Sequence, residues 1–241
     1  MTKVEWILKF STIDNDSIDF IDFIDYNEVY KRFIHILNNK TIVPFDKDKH
    51  KDKHKDESSI LLNINDKAKH LVITANKIIP LTSIILQKDH SNLDYSRAEK
   101  MAFNLSLQLK ELENMGLTLS YWTPADIIVV NDSSFLLGNL HNLVKLDIPN
   151  SFNIRLNYPI IYDDGSNHID YQEKSAMIAP EILKMDGLPF ITHRSASYYS
   201  LGKLCLHCID HSLAELAGTK LFYFVERCML EPIEQRSCLF I

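Results

Sequence analysis

The chain has 241 residues, 46% of them hydrophobic and 24% charged, with a formal net charge of -6 at pH 7. That balance suits one globular domain or two small lobes and excludes a disordered chain. The acidic charge argues against a nucleic-acid surface. No apolar run reaches the length of a membrane span, and Met1–Trp6 carries charge inside its first apolar stretch, unlike a secretory signal.

In chain order, Val4–Phe10 reads as a strand, Ser17–Ile24 as a second, and Tyr26–Leu37 as an amphipathic helix with Val29, Phe33, Ile34 and Leu37 at helical spacing. The alternating-sign tract within 46–57 lacks an apolar anchor and predicts a solvated, mobile loop. Its Lys residues disfavour a metal site. Ser59–Ile64 and His70–Thr74 read as a hairpin, and Leu81–Leu86 as the start of a helical stretch. Ser96–Met115 is the clearest helix, with a stripe of Met101, Leu105, Leu109 and Leu112 and a stop at Gly116. A second hairpin joins 127–130 to 135–137. Residues 143–175 lack strong periodicity and read as a long ordered loop, a type often functional. Helices are expected over Tyr198–Ile209 and Ala214–Leu230. Cys205, Cys208, Cys228 and Cys238 fit unpaired, buried positions in a reducing, cytoplasmic compartment better than a zinc site. Strands with one helix, followed mainly by helices, make an α+β pattern in two lobes.

Three motifs in the second half, in order, resemble the protein-kinase C-lobe. Ala179-Pro180-Glu181 looks like the motif that closes the activation segment. Ser197-Tyr198-Tyr199-Ser200-Leu201-Gly202 resembles the start of the buried central helix, and Arg227-Cys228-Met229 through Arg236 resembles the late Arg-Cys-Leu…Asp-Pro…Arg signature. Upstream, Leu119–Val129 lies where the catalytic loop His-Arg-Asp-Leu-x-Pro-x-Asn-Ile-Leu-Val falls, and His70–Leu81 resembles the hinge between lobes. The resemblance implies a reduced, strand-rich N-lobe over 1–75, a helical C-lobe over 76–241 and a structural pair between Glu181 and Arg236. Asn76 and Lys77 are the implied hinge contacts should a nucleotide bind. The style is also similar to divergent kinase-like proteins of large DNA viruses.

A kinase must cradle phosphates, hold magnesium and orient a hydroxyl. The first glycine is Gly116, so a Gly-rich loop is missing from the N-lobe. No Val-Ala-x-Lys context supplies the strand lysine, and Glu28 reads as a solvated helix residue rather than its partner. The position of the catalytic aspartate is Tyr121, a phenol with an ordinary pKa of about 10 and a poor proton acceptor. The metal-binding asparagine corresponds to Asp126, which can either hold magnesium or brace the loop backbone. The Asp-Phe-Gly aspartate corresponds to Gly138, or alternatively to Asp147. The bracing aspartate of the central helix is Ser197.

The expectation is a catalytically inactive kinase-like protein that binds a protein partner or serves as a scaffold, with no cofactor, no nucleic acid and no membrane. The rivals are a magnesium- and ATP-dependent phosphotransferase using Asp126 and Asp147, and a structural subunit of a viral particle found in host cytoplasm or virion.

Overall fold

A computed structural model describes residues 3–9, 25–38, 60–65, 70–85, 93–140, 142–148, 150–154, 176–187, 189–209 and 212–239. The expected strand at 17–24 and the charged tract at 46–57 lie outside the described residues. The described chain is mixed α+β, with three small antiparallel sheets.

The first sheet has the order β1-β3-β2, with β1 Val4–Lys9, β2 Leu61–Asn65 and β3 His70–Ala75. The central strand β3 pairs on both sides, from Val4 opposite Ala75 to Lys9 opposite His70, and from Leu61 opposite Thr74 to Asn65 opposite His70. Leu71, Ile73 and Ala75 share one face at period two and are buried there. Helix α1, Tyr26–Asn38, buries Val29, Tyr30, Phe33 and Ile34 on one stripe. Its outer side carries the Glu28–Arg32 pair at 2.9 Å, and Arg32 also reaches Glu111 at 3.4 Å.

After β4, Ile78–Pro80, and the short α2, Thr82–Ile85, comes α3, Tyr95–Asn114. Asp94 caps α3 by accepting the Arg97 N–H at 2.8 Å. Met101, Leu105, Leu109 and Leu112 are all fully buried along it. Gly116 stops it with φ +73°, a left-handed conformation that glycine adopts without a Cβ penalty.

Strand β5, Leu117–Leu119, is followed by a single 3₁₀ turn at Pro124–Asp126. The hairpin of β6, Ile127–Val130, and β7, Ser134–Leu137, then forms a sheet with β4. The outer edge of β7 lies against a helix, not another strand, so its backbone groups need side-chain partners. Helix α3 supplies them. Asn104 Oδ1 accepts from Phe135 N at 3.0 Å. Gln108 donates to Phe135 O at 2.8 Å and accepts from Leu137 N at 3.0 Å. Two polar residues on a buried helix face thus stand in for a strand.

Residues 143–154 correct the loop expected over 143–175. They form β8, Leu143–Ile148, and β9, Ser151–Ile154, and 155–175 lie outside the described residues. The turn passes through Asn150 at φ 71°, and a register shift between Leu146 and Ile148 disturbs the period-two signal. With β10, Phe190–His193, these strands make the sheet β10-β9-β8-β5.

Three helices complete the fold: α4 Pro180–Leu183, α5 Ala196–His207 and α6 Lys220–Cys228. The helix expected to begin at Ala214 begins only after Thr219, which accepts from Phe222 N at 3.1 Å. Gly218, at φ +82°, sets the turn before it. All four cysteines are buried and unpaired with one another, and burial pushes the Cys208 and Cys238 thiols up to about 12. No helix among the described residues is long and apolar enough to cross a membrane.

Replacing Gln108 by Leu keeps the volume but strands the Phe135 carbonyl and the Leu137 N–H. The expected loss is about 1–3 kcal/mol for each orphaned group, read as a lower urea midpoint at unchanged m-value.

Candidate functional site

The sequence points to the loop between β5 and β6, and the structure gathers three distant segments around it. Trp122 is fully buried. Its backbone N–H donates to Ser200 Oγ at 2.7 Å and its indole Nε1 donates to Ser197 Oγ at 3.0 Å. Both serines lie on α5, so the loop is pinned to that helix. The loop is therefore held to the helix without a charge at position 197. A neutral hydroxyl accepts the indole N–H where a charge would be expensive to bury.

Tyr121 is 6% exposed and sits in an apolar cluster with Phe152, Ile154, Ile178, Ala179, Ile182 and Ala196. It is packed under the segment that ends in α4 and does not open toward solvent as an acceptor would.

Asp126 is 4% exposed. Its Oδ2 accepts from Thr123 N and Thr123 Oγ1, both at 2.8 Å, which closes the 3₁₀ turn on itself. Asn139 Nδ2 donates to Oδ1 at 3.2 Å and Asn142 Nδ2 donates to Oδ2 at 3.3 Å. The backbone adds Gly138 N to Asp126 O at 2.7 Å, and Ser120 N to Asn142 O at 2.9 Å. The 120–126 loop and the 138–142 loop are one hydrogen-bonded unit.

Gly138 has a steric reason to be glycine. A Cβ there would lie 2.9 Å from Ile128 Cγ2, on the strand beside it. The structure does not bring Asp126 and Asp147 together. Asp147 is exposed on β8, four residues beyond Leu143. Asn142, whose side chain reaches Asp126, lies five residues before Asp147, roughly 16 Å along an extended chain and well beyond the span of one magnesium ion with ligands at about 2.0–2.1 Å.

Asn76 and Lys77 lead from β3 into β4. Their backbone N–H groups donate to Asn131 Oδ1 at 3.0 and 3.2 Å, and Lys77 O accepts from Asn131 N at 2.9 Å. Asn131 and the neighbouring Asp132, at φ 50° and 61°, form the tip of the β6–β7 turn. Lys77 Nζ pairs with Asp132 at 2.7 Å.

Glu181 and Arg236 do meet. The guanidinium makes bonds of 2.6 and 3.2 Å to the carboxylate, donates to Leu230 O at 2.7 Å, and lies 5.0 Å from the Tyr199 ring. Another buried charge, not marked by the sequence pattern, is Glu113. Glu113 on α3 accepts from Tyr198 Oη at 2.5 Å and pairs with Arg194 at 3.2 Å. Burial and the Glu113 carboxylate push the Tyr198 phenol up. Tyr30 of α1 was also missed. Burial first, then the charges of Tyr26 and Asp126, raises its phenol, which places α1 within electrostatic reach of Asp126.

The chain matches no protein-family model and no curated protein. Among the described residues, no group of His, Cys, Asp and Glu has the arrangement to hold a metal ion.

Removing one partner of the Glu181–Arg236 pair leaves a charge in a nearly dry site. Arg236→Met is expected to cost about 3–5 kcal/mol. The double variant Glu181→Gln/Arg236→Met should cost clearly less than the sum of the two single changes, as measured by a double-mutant cycle in chemical denaturation.

Proposed function

We propose that the chain is a protein-kinase-like protein without phosphoryl-transfer activity, acting through contact with a protein partner. The observation that carries the reading is the state of Asp126. Its carboxylate is taken up by Thr123, Asn139 and Asn142, so the one surviving residue able to ligand magnesium is used as a brace.

Other observations support it. In the proposed reading, β1, α1, β2 and β3 together make up a reduced N-lobe. Chain order and the antiparallel pairing β1-β3-β2 are compatible with such a reduced N-lobe over 1–75, joined at Asn76 and Lys77 to a lobe over 76–241. The hinge N–H groups of these two residues are held by Asn131. Tyr121 is buried where a proton acceptor would be needed, and the Gly138 position has no room for a carboxylate. Lys9 ends β1, but Ile7-Leu8-Lys9 lacks the small residue of the family's strand-lysine pattern. Glu28, its nominal partner, is engaged by Arg32 on the helix surface.

The residues therefore do not fit ATP with magnesium, and no transfer step is derived for them. What is left is a shaped surface. Leu183 and Ile191 are exposed on α4 and β10. They suit an apolar protein contact better than a charged ligand.

The test is thermal unfolding with ATP and magnesium together. An unchanged midpoint is expected, and a magnesium-dependent rise with ATP would contradict the reading. Gly138→Asp, which would rebuild the missing carboxylate, is expected to lose about 1–3 kcal/mol from overpacking against Ile128 and to gain no nucleotide binding.

A further inference from the structure

The hydrogen bonds at Asp126 carry one step more. An ionised carboxylate has about four lone-pair directions and donates nothing. At least four donors meet it here, among them Thr123 N, Thr123 Oγ1, Asn139 Nδ2 and Asn142 Nδ2. Because the carboxylate only accepts, both carboxamides must turn their NH₂ ends toward it. Their oxygens, the ends that could ligand a hard cation, point away. A buried carboxylate at 4% exposure needs compensation of its charge. A divalent cation is one way to supply it, and a full ring of donors is another.

We propose that Asn139 and Asn142 stand in for a divalent cation at Asp126, latching the 138–142 loop to the 120–126 loop permanently and without a cofactor. The inference deepens the reading of this site as cofactor-free, but it rests on the donor ring alone and uses no nucleotide. Asn139 and Asn142 are positioning residues. Each is nearly isosteric with aspartate, which would remove a donor and add a charge. Asn139→Asp/Asn142→Asp therefore converts a satisfied carboxylate into three that repel one another, and such a cluster needs a cation.

The probe is Mn²⁺ alone against EDTA, read by the thermal midpoint and by the electron spin resonance signal of free Mn²⁺. Wild type is expected to have the same midpoint in both and to leave the Mn²⁺ signal intact. The double variant is expected to melt lower than wild type in EDTA, to recover in Mn²⁺, and to bind Mn²⁺ about tenfold or more tighter than wild type. Failure of the double variant to fold in EDTA is the same prediction at its extreme. The single variant Asn139→Asp, at the less buried of the two positions, then carries the Mn²⁺ comparison. A rise of the wild-type midpoint with Mn²⁺ overturns the proposal, as does a variant that is either undisturbed in EDTA or indifferent to Mn²⁺. Nucleotide binding by wild type with a flat Mn²⁺ response would sink the inactive-kinase reading and leave this latch standing.

Discussion

The buried carboxylate of Asp126 organises the loops on either side of the β6–β7 hairpin. Asp126 closes its own turn through Thr123, and it receives the side chains of Asn139 and Asn142 from beyond the β6–β7 hairpin. Burying a charge without partners is prohibitive, so these donors and the carboxylate stand or fall together. With Trp122 pinned to α5 through Ser197 and Ser200, the loop between β5 and β6 is tied to both its neighbours. The same economy recurs where Gln108 and Asn104 complete the edge of β7, and where Arg236 meets Glu181. Among the described residues, most buried polar side chains have a hydrogen-bond partner.

That pattern bears on function. A site that performs chemistry keeps polar groups open toward the place where charge will develop. At this loop the polar groups are directed at one another, and the aromatic residues Tyr121 and Trp122 face apolar clusters. Such an arrangement holds a shape. The proposed role as a protein-binding module asks for no more than such a shape.

The sequence made parts of this legible. The stripe on α3, the stripe on α1 and the β6–β7 hairpin were plain because period 3.6 and paired apolar runs around Asn131-Asp132 carry local information. Strands β8 and β9 were not, since the register shift near Leu146 breaks alternation. The late start of α6 was overlooked although Gly218 and Thr219 form a stop and a cap. Loop bracing was legible as one of two options for Asp126, because an Asp side chain readily bonds nearby backbone groups. Its long-range donors were not. Asn139 and Asn142 are 13 and 16 residues away, and no periodicity reports such a meeting. Nor could sequence pattern show that Gln108 and Glu113 are buried polar exceptions, or that Asp147 lies far along β8.

Amide hydrogen exchange at Trp122, Thr123 and Gly138 tests the central claim most directly, since their N–H groups donate to Ser200, Asp126 and the Asp126 carbonyl. In the absence of any ligand, all three should exchange only through global unfolding, with protection equal to that of the core of α3, and addition of ATP with magnesium should change nothing. Rapid exchange at these amides that becomes slow only when nucleotide and metal are supplied would contradict the account.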